Sequence, residues 1–87
     1  MINLKIEQFF RADGSLISIP VKPSKKLAVL RKIAMRLEPG KRYPEKLLNQ
    51  ELAIFHEDTA ALRRHMIEYQ ILVRDKQSVY WLKEEQE

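Results

Sequence analysis

Cysteine is absent from this chain, and glycine is scarce, with two residues in 87. The first absence removes disulfides and thiolate metal sites and fits a reducing compartment. The second removes phosphate-cradling loops, because Gly14 and Gly40 each stand alone. Long apolar runs are missing too, and none approaches the ~20 residues of a membrane span. Met1 to Glu7 do not place a basic region before a continuous apolar stretch, so no secretion signal is read and the cytoplasm is the expected location. Histidine is limited to His56 and His65. His56-Glu57 opens like a zinc-protease helix, but position 60 is alanine, so no metal is expected and His56 is assigned to a hydrogen bond in a turn. No serine, histidine and acid are spaced as an activated nucleophile, and the adjacent acids Glu57 and Asp58 suit capping better than acid–base work. The expectation is a protein that is not an enzyme and carries no cofactor.

What is present is positive charge, unevenly spread. The chain is +4 overall, yet residues 22–46 hold nine cations against Glu38 and Glu45, leaving the remainder net negative. A concentrated basic region recruits anionic partners, nucleic acid above all, or forms the solvated face of a small basic domain. At this length one domain is expected over 1–87, burying roughly 60–65% of its unfolded surface.

Local patterns give an order of elements. Residues 2–10 fit either a strand or a short helix. Asp13-Gly14 marks a turn, and the β-branched run Leu16 to Val21 predicts a strand ended by Pro20 and Pro23. Residues 1–23 thus form an N-terminal extension. Ser24 is placed to cap a helix over Lys25 to Leu37, with Leu27, Leu30, Ile33, Ala34 and Leu37 inward and Lys25, Lys32 and Arg36 opposite. Glu38-Pro39-Gly40 breaks it. Pro44 suits the first turn of a second helix bearing Leu48, Leu52 and Phe55. Asp58 can cap a third helix running to about Ile71, with Leu62, Met66 and Tyr69 inward. Val73-Arg74 and Val79 to Leu82 read as a hairpin around a polar loop, of which either Tyr80 or Trp81 should face the core. Residues 83–87 read as a frayed acidic tail. The fold class is α+β: a small winged helix-turn-helix, three helices plus hairpin over 24–82, with an extra N-terminal strand or helix.

Tyr43-Pro44-Glu45-Lys46-Leu47-Leu48-Asn49, then Phe55-His56-Glu57-Asp58, then Leu62-Arg63-Arg64, resemble a bacterial family of unknown function. Its pattern is Tyr-x-Glu-Lys-Glu-Val-Asn, Phe-His-x-Asp and Leu-Arg-Arg, followed by an aromatic-tryptophan hairpin. Members look like small winged-helix units, some attached to helix-turn-helix regulators, so the resemblance implies a link to transcription. Leu47 departs from the family glutamate. Gln70 stands where a glycine ends the third helix, which makes a left-handed cap more costly.

Two functions are in view. In DNA binding, Thr59, Arg63 and Arg64 on the third helix are base-reading candidates, arginine being suited to guanine edges. Lys41, Arg42, Lys46, Arg74 and Lys76 would contact phosphates. Tying down local carboxylates is the alternative of equal weight for the two arginines. The alternative is a protein-interaction or dimerisation module, in which Ile67 and Ile71 form an apolar seam for a second copy or a regulator partner. No membrane partner is expected.

Overall fold

Prolines and turn residues set where the elements of this chain begin. The computed structural model describes residues 6–83. Helix α1, Pro23–Ala34, opens with Pro23 in its first turn, where a missing N–H costs nothing and the fixed φ is already helical. Lys22 is its N-cap and provides no side-chain bond, which corrects the expected Ser24 cap. The helix stops at Ala34 rather than Leu37; the last turn tightens, with Leu37 N–H donating to Ala34 O at 2.9 Å, and Leu37 is still buried. After Glu38-Pro39-Gly40, Gly40 takes φ +80, a conformation open to glycine at little cost.

Strand β1 is Tyr43–Pro44, helix α2 Glu45–Leu52, helix α3 Thr59–Glu68, strand β2 Leu72–Arg74 and strand β3 Val79–Leu82. The three strands form an antiparallel sheet in the order β1-β3-β2. The expected α+β class, with three helices and a C-terminal hairpin, is what the described residues form. Pro44 lies in β1 and is the N-cap of α2, not a residue of its first turn.

Around Leu16 the expected strand is reduced to one bridge with Phe10. A ladder needs a neighbouring strand, and here the backbone is satisfied otherwise: Leu16 N–H donates to Phe55 O at 2.6 Å and Ile17 N–H to Phe9 O at 2.7 Å. Of the ambiguous residues 2–10, Glu7–Phe9 form a 3-10 turn, and 2–5 lie outside the described residues. The Asp13 carboxylate accepts the Ser15 N–H at 2.9 Å and its hydroxyl at 2.7 Å. These bonds favour the charged form and hold the carboxyl below its ordinary pKa, with Arg11 adding a smaller attraction.

Leu30 and Ile33 of α1, Leu48 and Leu52 of α2, and Leu62 and Met66 of α3 meet in one core with Leu16 and with Tyr43 and Tyr80 of the sheet. A fully buried Leu62 or Met66 contributes about 1.5–3 kcal/mol through removal of apolar surface from water. Directly paired residues share a sheet face, so Tyr43 and Tyr80 turn together toward the helices, while Val73 and Trp81 face the other way. Tyr80 is the aromatic in the core and Trp81 the half-buried one outside.

Helix α3 ends at Glu68, short of Ile71. Gln70 N–H donates to Ile67 O at 3.0 Å and Ile71 N–H to Met66 O at 2.8 Å, the paired bonds of a Schellman cap. Gln70 adopts φ +61 to make it. In the hairpin loop Ser78 also takes φ +61, at the place where a glycine is usual. Asp75 compensates by accepting from Gln77 N–H and Val79 N–H. Lys83 N–H donates to Ile71 O at 2.9 Å, so Lys83 continues the hairpin rather than starting a frayed tail; residues 84–87 lie outside the described residues.

Candidate nucleic-acid interface

The turn between α2 and α3 is built from its own side chains. His56 Nδ1 accepts the Asp58 N–H at 3.0 Å, the turn role expected of it. Asp58 caps α3 by accepting the Ala61 N–H at 3.1 Å. From that start the helical period buries Ala61, Leu62 and Met66. Ala60 and Arg64 are left exposed, with Thr59, Arg63 and Ile67 half-buried.

Adjacent residues on a helix point about 100° apart, and Arg63 and Arg64 have different fates. The Arg63 guanidinium bonds the Asn49 side-chain oxygen and lies 3.9 Å from the Glu45 carboxylate. It sits 6.0 Å from the Tyr80 ring, and the Tyr80 hydroxyl donates to the same Glu45 oxygen at 2.8 Å. With its side chain 17% exposed, Arg63 ties α3 to α2 and β3 instead of extending toward a base. Of the two roles expected for Arg63, this geometry matches the tying down of a local carboxylate. Among the described residues no ion pair involves Arg64.

Between α3 and β2 lies an open groove of about 940 Å³. Ile67 and Leu72 supply apolar wall; Arg64, Arg74 and Lys83 supply positive charge, and Glu68 negative charge. Lys46 and Lys76 do not line it; the Glu45 N–H donates to Ser78 O at 3.0 Å, which seats the start of α2, with Lys46, against the hairpin loop that carries Lys76. Lys41 and Arg42 are elsewhere. They precede β1, at the sheet edge opposite β2, and neither lines the groove. Arg42 stacks 3.8 Å from the Trp81 ring and Lys41 lies 5.0 Å from that of Tyr43. The expected phosphate-contacting residues therefore do not form one patch.

Ile67 and Ile71 line two adjoining hollows. Both pack half-buried against the core. Ile67 lines the α3–β2 groove, whereas Ile71 lines an adjoining hollow of about 1020 Å³ beside Met35, Tyr69 and Leu82, with Gln70 and Lys83 shared between the two. Glu45 and Asn49 entered the sequence reading as part of the family motif, and Lys83 as the start of the tail; none was named as a site residue. The i, i+4 spacing of Glu45 and Asn49 on one helix face was the available signal for the first two. Lys83 carries no signal apart from the hairpin register.

No curated protein and no solved structure matches the chain. A family model described as an uncharacterized protein conserved in bacteria (DUF2087) matches residues 15–82, from the buried Leu16 through the last residue of β3. The chain belongs to this bacterial family.

Proposed function

We propose that the protein is a winged helix-turn-helix module that binds duplex DNA, with the groove between α3 and β2 as the centre of the contact. The succession α1-β1-α2-α3-β2-β3 with sheet order β1-β3-β2 supports the architecture, in which a third helix enters the major groove and a hairpin touches the backbone. The observation that carries the reading is the convergence of Arg64, Arg74 and Lys83 on one groove where helix and hairpin meet. Arg64 is the base-facing candidate, with Thr59 at the start of the same helix. Arg74, Lys83, Lys46 and Lys76 neutralise phosphates. Arg63 holds the helix at its angle. The resemblance to units attached to helix-turn-helix regulators makes transcriptional control the process served.

Fluorescence anisotropy with a labelled mixed-sequence duplex tests this over about 50–200 mM salt. Four phosphate contacts give a slope of log affinity against log salt near roughly −3.6, and the pair Arg74→Gln, Lys83→Gln reduces its magnitude by about 2. No binding at the lowest salt, or a slope unmoved by the pair, overturns the proposal. The apolar wall formed by Ile67 and Leu72 favours a second reading, a protein-interaction module. Under that reading Ile67→Asp abolishes partner capture, and DNA binding is absent.

A further inference from the structure

Residues 22–37 carry six cations, Lys22, Lys25, Lys26, Arg31, Lys32 and Arg36, and no acid. The whole chain is +4, so everything outside this segment is net negative by two. The protein's excess positive charge therefore lies on and beside α1, not on the helix that the fold offers to a major groove.

Folding leaves that charge in place. Among the described residues only Arg36 of these six meets a carboxylate, that of Glu51 at 3.1 Å. The helix accounts for part of the charge only: Arg31 and Lys32 stand in its last turn, where the dipole favours cations, whereas Lys25 and Lys26 stand in its first turn, where it repels them. Two of the lysines are restrained without being neutralised. Lys25 Nζ lies 6.0 Å from the Phe9 ring and Lys32 Nζ 4.9 Å from that of Phe10. Seven residues apart, they stand in one row along the helix, with roughly 10 Å of axial rise between them. Neither lines the α3–β2 groove. Helices α1 and α3 bury Ile33 and Leu62 in the same core; of the six cations Arg31 lines the hollow that adjoins the groove, and Lys25 and Lys32 line neither.

We infer that the outer row of α1 is a second phosphate-backbone contact, and that one molecule holds two duplex segments at once. The α1 contact stands by itself; the bridging of two segments also rests on the groove reading above. A bilayer is the weaker occupant. Interfacial helices insert an apolar face, and that of α1 is spent on the core through Val29, Leu30, Ile33 and Ala34. The exposed Val21 and Met35 lie at opposite ends of α1, roughly 20 Å apart at the helical rise, and form no common patch.

Bridging is read as energy transfer between two separately labelled duplexes mixed with the full chain, alongside single-duplex anisotropy. The pair Lys25→Gln, Lys32→Gln, checked for native circular dichroism, should lower bridging about tenfold while single-duplex affinity through the groove falls much less. Arg64→Gln with Arg74→Gln should also lose bridging but keep a weaker, salt-sensitive contact through α1. If a single duplex binds and the α1 pair leaves transfer unchanged, or wild type gives none, the inference is overturned and the groove reading stands. If binding survives the groove pair and vanishes with the α1 pair, the α1 contact stands and the groove reading falls. No duplex binding at low salt, or binding to phosphatidylserine vesicles in its place, overturns both.

Discussion

Replacing Gln70 by glycine should stabilise the protein, although it removes a hydrogen bond. Gln70 closes α3 at φ +61; its N–H donates to the Ile67 carbonyl, and the turn it makes lets Ile71 N–H donate to that of Met66. A side chain in the left-handed region crowds its own backbone, at a cost of about 1–2 kcal/mol that glycine does not bear. Against that, glycine loses about 0.5–1 kcal/mol more in unfolded-state freedom. The Gln70 amide oxygen also accepts from Lys83 Nζ at 2.7 Å, but this exposed bond is worth only about 0.5 kcal/mol. The two terms nearly offset the relief at its lower limit and leave a gain of roughly 0.5 kcal/mol at its upper one, a rise in Tm of about 2–4 °C for a domain of this size. Gln70→Ala separates the terms: it keeps the strain, loses the Lys83 bond, and should be slightly destabilising. Urea unfolding followed by Trp81 fluorescence measures both variants, with an unchanged m-value as the control. If the glycine variant is no more stable than the alanine one, the cap is not under strain and the reasoning fails.

The remaining predictions concern the residues that fix the groove and the turns. Arg63→Ala strands Glu45 and Asn49 in a half-buried network and should cost about 1–3 kcal/mol; denaturation that matches wild type would refute its positioning role. Tyr80→Phe and Glu45→Gln share one hydrogen bond, so a double-mutant cycle should give a coupling of about 0.5–1.5 kcal/mol, and additivity would remove the link. Asp58→Ala should cost about 0.5–2 kcal/mol by uncapping α3, and loss of amide-exchange protection at Ala61 is its local signature. Because the folded turn favours ionised Asp13, its contribution is complete above the ordinary carboxylate pKa of 3.8 and fades as pH falls through the lowered folded value. An NMR titration of the Asp13 carboxyl should find a midpoint below that value; one at or above it contradicts the turn's hydrogen bonding.

Helices were legible where apolar spacing and breakers agreed. The stripe of α1 and the Asp58 cap depend on neighbours within a turn or two, while the end of α1 at Ala34 came before the Pro39-Gly40 breaker. β1 was not legible, because a two-residue strand has no pattern of its own and exists only through pairing of Tyr43 and Pro44 with Tyr80 and Val79. Leu16 to Val21 failed in the opposite direction: strand-like composition, but among the described residues only a single bridge, to Phe10. In the groove, the sequence marked both arginines yet could not choose between them. Which one turns inward depends on where α2 places Glu45 and Asn49, a tertiary fact. The basic segment was visible as a block. Its division into α1, the Trp81 stack and the start of α2 came only from folding.

The central strand of the sheet, β3, is also the last element of the described chain to be synthesised. Both outer strands depend on it, so while α1, β1 and α2 emerge from the ribosome no sheet can exist for them to rest on. Tyr43 must wait for Tyr80, a closure across more than thirty residues, which places β1 docking late and keeps the nascent helices without their full apolar cover until then. A stall in translation before residue 79 would leave an aggregation-prone helical intermediate, and chaperone demand should fall sharply once the Val79–Leu82 segment clears the exit tunnel.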